Sequence, residues 1–348
     1  MRAFGSIGEQ ALSEISLVSP DGGMRASAIS FGATLRDLEV RLGDGRMQRV
    51  VLGFETLEHY VKHSPHAGAT AGRFANRIKA GRFQLDGTTY TLPLNENGRT
   101  ALHGGGPTGF GKIPWTVTHH DAHSVTLAHT SPDRTNGFPG TMHVTCRYSL
   151  IAAGTMRIEL DAISDQPTVV NLAHHSYFNL DGSADILDHT LAIRSNLMTP
   201  IDADLIPNGE MRAVAGTPWD FRTPRPIRQM SADGQRIWYD HNWILRRDTT
   251  EVCAHPAERI ALAATLASAK SGLTMETWTT EPALQFYDGF KLNLAVPGHA
   301  GVMYGANAGL CLEAQHCPDS PNLPHFPSTV LRPGNVYRQI TEYRFKTA

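Results

Sequence analysis

Three features of the sequence predict an all-β protein. Turn signals recur along its length, at Asp21-Gly22, Asp44-Gly45, Asp86-Gly87, Asp181-Gly182, Pro207-Asn208-Gly209 and Asp233-Gly234. Such pairs punctuate antiparallel strands, because the tight turns of hairpins need backbone angles that glycine and asparagine reach at low cost. Between them, short stretches alternate apolar and polar residues, and helical periodicity is scarce.

Taken in chain order, ETLEHYVKH from Glu55 offers about two turns of helix and nothing longer follows. The clearest hairpin is RFQLDGTTYTL: Phe83 and Leu85 alternate with polar neighbours before Asp86-Gly87, and Tyr90 and Leu92 resume the alternation after it. HSVTLAHT, MHVTCRYSL, MRIELDAIS and HTLAIRS read as further strands. With no Pro-rich or Ser-rich linker and no repeat array, residues 1–348 read as one continuous β domain. The stretch from Pro167 to Gly182, PTVVNLAHHSYFNLDG, reads as a buried strand feeding a pocket. Side chains on a strand alternate in direction, so Val169, Asn171, Ala173, His175 and Tyr177 share one face while Val170, Leu172, His174 and Ser176 share the other. Only one histidine of the pair is then expected to face a given pocket. Two histidines satisfied by hydrogen bonds within a sheet is the plain alternative.

Composition narrows the function. The chain has 348 residues, 41% of them hydrophobic and 18% charged, a net charge of −2 and no basic block, which argues against nucleic acid or an anionic membrane as partner and favours a small neutral ligand. Four cysteines, Cys146, Cys253, Cys311 and Cys317, are scattered without a C-x-x-C pair, which fits a reducing compartment better than a zinc site or a disulfide framework. The first residues, MRAFGSIGEQ, carry no apolar run resembling a signal peptide, so a cytoplasmic location is expected.

Two sets of apparent motifs fail on context. Gly104, Gly106 and Gly109 match G-x-G-x-x-G, and Gly106 through Lys112 match most of a phosphate-binding loop, but Ile113-Pro114-Trp115 follows and denies the helix N-terminus that would hold a phosphate. His59, His63 and His66, and the run His119-His120-Asp121-Ala122-His123, have spacings a metal can use, yet solvated or turn histidines explain them equally well, and no metal or other cofactor is expected.

A more specific polar set remains. GATAGRFANRI carries Asn76-Arg77, LHGG carries His103 beside a glycine-rich bend, YDHNWIL carries Asp240 and PALQFYDGF carries Gln285. In GLCLEAQHCPD the apolar run Gly309 to Leu312 leads into Glu313, a carboxylate in or just beyond a buried strand. Burial raises a carboxyl pKa toward a range useful for proton transfer, and a salt bridge to an arginine is the competing explanation.

Together these residues resemble the aldose 1-epimerase (galactose mutarotase) family over nearly the whole chain. GATAGRFANRI, LHGG followed by GF and Trp115, HSYFNLDG, YDHN, QFY, and CLEAQHCPD followed by FP and LRPG occur in the family's order and spacing. The resemblance implies a β-supersandwich, large antiparallel sheets stacked around an open sugar cleft, and no cofactor. It implies that His175 is the proton donor and Glu313 the proton acceptor, with Asn76, Arg77, His103, Ser176, Tyr177, Asp240 and Gln285 at sugar-binding positions. His174 stands where the family usually has asparagine, and Trp243 is bulkier than the residue expected there. The implied partner is a monosaccharide, bound by a monomer or weak homodimer. A non-catalytic sugar-binding protein, a hexose-phosphate epimerase and a glycoside hydrolase using Asp240 and Glu313 are the rivals; of the aligned pocket residues only Arg77 is a fixed cation to hold a phosphate.

Overall fold

The computed structural model describes residues 1–151, 154–253 and 258–347. Three antiparallel sheets dominate it. Arg2–Ile7, Gln10–Val18, Met24–Ile29, Thr34–Arg41 and Met47–Arg49 form a five-stranded sheet in sequence order. A ten-stranded sheet runs from Thr116–His120 through Ser124–Ser131, Met142–Ile151, Thr155–Ser164 and Tyr337–Thr347 to Leu273–Thr279 and Arg259–Ala267, with shorter strands beyond. The third, five-stranded, has the order Arg212–Ala213, Ser195–Thr199, Asp240–Leu245, Ala283–Tyr287, Cys311–Gln315. The C-terminal strand lies centrally in the large sheet, between Thr155–Ser164 and Leu273–Thr279.

One hydrophobic cluster joins all three sheets. Leu17, Ala26 and Leu38 come from the first, Leu127, Val144, Tyr148 and Tyr343 from the large one, and Trp243, Phe286 and Leu312 from the third. Alternation in the sequence produces this: Met142, Val144, Cys146 and Tyr148 are buried, while His143 and Arg147 between them are exposed. Trp243 is fully buried and its indole donates to the Trp219 carbonyl at 3.2 Å, so the bulky residue is core rather than cleft. Each large apolar side chain buried in this way stabilises the sandwich by roughly 1.5–3 kcal/mol. The expected all-β architecture of large antiparallel sheets packed on one core is therefore observed.

The expected helix is present at Leu57–His63. The Thr56 hydroxyl accepts from the His59 amide as its N-cap, and Glu58 pairs with Lys62 one turn on. The hairpin Arg82–Leu85 to Thr88–Thr91 also forms, with Phe83 and Leu85 buried. After the glycine-rich bend comes only a single 3-10 turn, Phe110–Lys112, ending in extended backbone at Ile113.

The Pro167–Gly182 stretch departs from the continuous strand expected of it. Only Thr168–Val169 and Ala173–His174 are ladder segments, pairing with Val330–Leu331 and Thr70–Ala71. Its other backbone groups bond several elements in turn: His175 with Ala69 and Gly68, Asn171 with Arg73 and Ala75, Phe178 with Leu310. Both asparagines are ties of this kind, Asn171 holding Ala75 and His316, and Asn179 holding Ala308 and Ser183. β-propensity described the residues correctly, but so many polar ties to different partners replace a single neighbouring strand. The alternation of faces survives: Val170 and Leu172 enter the main core, and His174 and His175 point apart.

Candidate active site

Strand alternation in the third sheet builds the floor of the site. Pairing places Asn242, Gln285 and Glu313 side by side, with Asp240, Tyr287 and Cys311 in the next row. On the opposite face the same strands present Trp243, Leu284, Phe286, Leu312 and Ala314 to the core. Glu313 thus lies in the middle of its strand, 3% exposed, with a polar row at its sides and a hydrophobic layer behind it.

The walls come from loops. His103 and Asn76 both adopt left-handed backbone, at φ 50° and 62°. They bond reciprocally: the His103 amide donates to the Asn76 carbonyl at 3.0 Å, and the Asn76 amide to His103 Nδ1 at 3.2 Å. The next residue must be glycine, because a Cβ on Gly104, at φ 90°, would lie 1.9 Å from the Gly72 carbonyl oxygen. The backbone donor also fixes the His103 tautomer. With Nδ1 accepting, the neutral ring carries its proton on Nε2 and is a hydrogen-bond donor there.

His175 completes the constellation. Its Nε2 lies 3.6 Å from Glu313 Oε2, and its ring is 5.1 Å from that of His103 and 5.2 Å from that of Tyr177. Burial pushes His175 down to about 4, only partly opposed by its own backbone, and Lys112 lowers it further. Burial pushes Glu313 up to about 8, with Asp240 adding to the rise and Arg77 opposing it. Between those values the pair holds one proton in total. Among the described residues no arginine forms a salt bridge with Glu313. Arg77 instead grips Glu96 with two bonds of 2.7 Å and reaches Asp240 at 3.8 Å.

Asp240 accepts from Gln285 Nε2 at 2.7 Å, and Asn76 Oδ1 accepts from the Arg77 amide, leaving the Asn76 amide group as its donor. Three acceptors of the floor strands, Gln285 Oε1, Glu313 Oε2 and Gln315 Oε1, are buried without a hydrogen-bond partner among the described residues. A buried acceptor left unpaired costs on the order of 1–3 kcal/mol, so a row of them favours a ligand rich in donors.

Of the nine residues expected at the site, His175, Glu313, His103, Arg77, Asn76, Asp240 and Gln285 converge. Tyr177 forms a wall beside His175 and donates to the Pro65 carbonyl at 3.3 Å. Ser176 is not brought to the cleft: its hydroxyl meets His174 Nε2 at 2.7 Å, on the core side under Tyr148, because alternation sends it the same way as His174. Three groups escaped the sequence reading. The His66 ring packs 4.8 Å from His103 and 6.0 Å from His175. Lys112, held to the Ser64 carbonyl at 2.8 Å, lowers the pKa of all three histidines. Gln315 continues the polar row two residues after Glu313, and that period-two spacing was its one available signal.

Among the described residues, His103, His175 and Glu313 offer ligand atoms within 4.8 Å of one another, the spacing of a possible metal site. The donor set fits a metal poorly. His103 Nδ1 is occupied by the Asn76 amide, and its Nε2 bears the proton, so neither nitrogen presents a free lone pair.

Comparison with known proteins identifies the family. The aldose 1-epimerase family model matches residues 14–344. The chain is 39% identical over 327 residues to galactose mutarotase of Bos taurus, covering 93% of this chain and 92% of that one. It is 36% identical over 355 residues to aldose 1-epimerase of Escherichia coli (strain K12), covering 96% and 99%. Among solved structures, a GalM/aldose epimerase homologue from C. elegans superposes with a TM-score of 0.89 at 31% identity, covering 97% of this chain and 100% of that one. Galactose 1-epimerase from Lactobacillus acidophilus superposes with 0.80 at 27%, covering 99% and 98%. On sequence and fold, the chain belongs to the aldose 1-epimerase family.

Proposed function

We propose that the protein interconverts the α and β anomers of free aldoses such as glucose and galactose by acid–base-catalysed ring opening. The observation that carries this reading is the buried His175 and Glu313 side by side at 3.6 Å, set beside buried acceptors that lack partners among the described residues. Opening a pyranose requires removal of the proton on the C1 hydroxyl and delivery of a proton to the ring oxygen as the C1–O5 bond breaks. The reactive form of the pair is the one with its single proton on the imidazole: Glu313 as carboxylate takes the first, and His175 as imidazolium gives the second. Rotation about C1–C2 then exposes the other face of the aldehyde, and the reverse transfers close the ring. The pair ends the cycle with the proton count it began with, so no redox partner is consumed. Each positioned acid or base contributes on the order of 10²- to 10⁴-fold.

The surrounding groups suit that chemistry. His103 Nε2–H and the Arg77 guanidinium are donors able to stabilise charge developing on oxygen. Asp240, Gln285 and the Asn76 amide offer the mixed acceptors and donors that sugar hydroxyls need. Ser176 acts through His174 and not on the sugar. A phosphorylated sugar is disfavoured, because Arg77, the fixed cation among the aligned pocket residues, is already paired with Glu96 and lies near Asp240 and Glu313. The core shared by all three sheets supports a single domain. Four buried, unpaired cysteines support a reducing compartment such as the cytoplasm. Among the described residues no helix is long and apolar enough to cross a membrane.

Polarimetry of freshly dissolved α-glucose and α-galactose tests the proposal. An optical rotation that drifts at the buffer rate, with sugar bound, would make the protein a binding module. Release of the aglycone from an aryl glycoside would make it a hydrolase.

A further inference from the structure

The strand Cys311–Gln315 supplies more to the site than Glu313. Cys311 stands two residues earlier, so strand alternation turns its side chain to the same polar face, where it is fully buried. Its Sγ lies 3.5 Å from Nδ1 of His175, short enough for a hydrogen bond to sulfur, and is the one side-chain partner that nitrogen has among the described residues. One strand therefore flanks both ends of the imidazole, with Nδ1 toward Cys311 and Nε2 toward Glu313 at 3.6 Å. Two residues of a strand span roughly 6.6 Å, a gap wide enough for one ring. Cys311 is held in register against Tyr287 and Glu313 against Gln285, so this spacing belongs to the sheet and not to a loop.

Proton transfer during ring opening gives this contact a task. His175 hands a proton from Nε2 to the ring oxygen and takes it back there when the ring closes. In between the imidazole is neutral and Nε2 must show a bare lone pair, which requires the remaining proton to sit on Nδ1. Exchange with Glu313, which Nε2 faces, needs the same tautomer. A ring protonated on Nε2 donates toward the sugar but has nothing with which to recover the proton. The hydrogen bond at the far nitrogen decides between the two forms. Sulfur accepts weakly and carries no charge here: burial, with Glu313 and Asp240 adding to it, holds the Cys311 thiol well above the ordinary thiol range. A carboxylate in that position acts differently. His316 has one, its Nδ1 2.6 Å from Glu281 Oε2; burial pulls its pKa down, yet the charge of Glu281 raises it overall. An uncharged acceptor fixes the tautomer without turning the donor into a base too strong to release its proton.

We propose that Cys311 is a positioning residue for the proton donor: its sulfur receives Nδ1–H of His175 and so holds the neutral ring in the tautomer whose Nε2 can recover the proton. The inference rests on the function proposed above. Its test reads tautomer and rate together. Nitrogen NMR of protein carrying isotope-labelled histidine, at pH 7, tells a protonated ring nitrogen from a bare one. The chain has 17 histidines, so the His175 signals are those lost in His175→Asn. Wild type should show Nδ1–H with Nε2 bare. Cys311→Val, an apolar side chain of similar size that suits a strand, should shift His175 toward the Nε2–H form and lower kcat by about tenfold, while KM for galactose changes less than about twofold. Should Cys311→Val not fold, Cys311→Ala must show the same two changes. Wild type in the Nε2–H form, a folded variant whose tautomer or kcat stays as in wild type, or a KM that rises with kcat intact would overturn the proposal, since a cysteine that only packs predicts these. A wild type that leaves glucose and galactose drifting at the buffer rate would sink the epimerase reading instead. The NMR needs no turnover: an Nδ1–H tautomer lost in the variant then still supports the contact, and one retained overturns it.

Discussion

His175 Nε2 lies 3.6 Å from Glu313 Oε2, with both side chains almost wholly buried. That spacing is too long for a strong hydrogen bond. It leaves the two groups side by side, each able to turn to a different oxygen of one ligand. Glu313→Gln keeps the shape and the hydrogen bonding of the side chain but removes its ability to accept a proton. The catalysed rate should fall by about a hundredfold or more, with sugar affinity largely retained. Polarimetry and titration calorimetry read the two effects separately, and a variant keeping over half the wild-type rate would remove Glu313 from the mechanism.

The pH profile should show a plateau bounded by the pair. Above about 8 the last shared proton leaves, and no acid remains; below about 4 a second proton arrives, and no base remains. The rate in kcat/KM should decline on both sides, and Glu313→Gln, which removes one of the two titrating partners, should leave a single titration in the residual rate.

The same shift has a consequence for stability. The folded pKa of Glu313 lies above its ordinary value, so its folded state holds a proton that the unfolded chain has already lost. Its contribution is present below the unfolded value near 4.5 and fades as pH rises toward about 8. His175, shifted down, costs stability as pH falls below 6.5 toward about 4. Glu313→Gln should therefore raise Tm relative to wild type more at pH 8 than at pH 5. Thermal melts at the two pH values check this, and an equal difference at both would mean that Glu313 ionises in the fold as readily as in water.

Asp240→Ala should act mainly on binding. The carboxylate accepts from Gln285 and lies close to Arg77. Its loss removes a hydrogen-bond acceptor for sugar and frees the Gln285 amide, and affinity should weaken by about 1.5–3 kcal/mol. Unchanged affinity by calorimetry would count against a role in holding hydroxyls.

Much of this site was legible because it rests on strand periodicity. An apolar run ending in Glu313 told of a buried carboxylate, and the alternation through His174 and His175 correctly sent the two rings apart. What was illegible depends on loops meeting in space. Nothing in the sequence around His66 says that its ring will lie against His103, and nothing around Lys112 places its charge near three histidines from other segments. The continuous strand expected for Pro167 to Gly182 failed for a related reason. Its β-formers are real, but their backbone partners are distributed over Ala69, Arg73, Thr329 and Leu310, and no local propensity encodes which partner wins. Ser176 shows the reverse error: motif position suggested the cleft, while alternation already pointed it to the core.

Treatment with a chelator should leave the catalysed rate unchanged. The cluster of His103, His175 and Glu313 has ligand atoms close enough for a metal, but the Asn76 amide fixes the His103 tautomer against ligation. Loss of activity in EDTA, restored by zinc, would show that the ring reorients and that proton transfer alone is not the mechanism.

His174 and His175, adjacent in sequence, should prove functionally unequal. His175 faces Glu313, whereas His174 is buried between Tyr148 and Tyr343, its Nε2 on the Ser176 hydroxyl and its Nδ1 3.4 Å from the Tyr148 oxygen. Burial pushes it down to about 3, so it is a neutral core residue at physiological pH. Replacing His175 by Ala or Asn removes the acid and should depress the rate by at least about a hundredfold while leaving the fold intact. His174→Asn substitutes a shorter amide that can stand in for Nδ1 toward Tyr148 but stops short of the Ser176 hydroxyl bonded by Nε2. It should cost less than about tenfold in rate, and its larger effect should be on stability, about 1–3 kcal/mol from the imperfectly replaced buried contacts. Polarimetry on both variants, with denaturant melts alongside, separates the two. If His174→Asn is the more damaging to rate at unchanged stability, the proton donor has been assigned to the wrong ring, and the network behind the cleft, from Ser176 to Tyr148, belongs to the catalytic machinery.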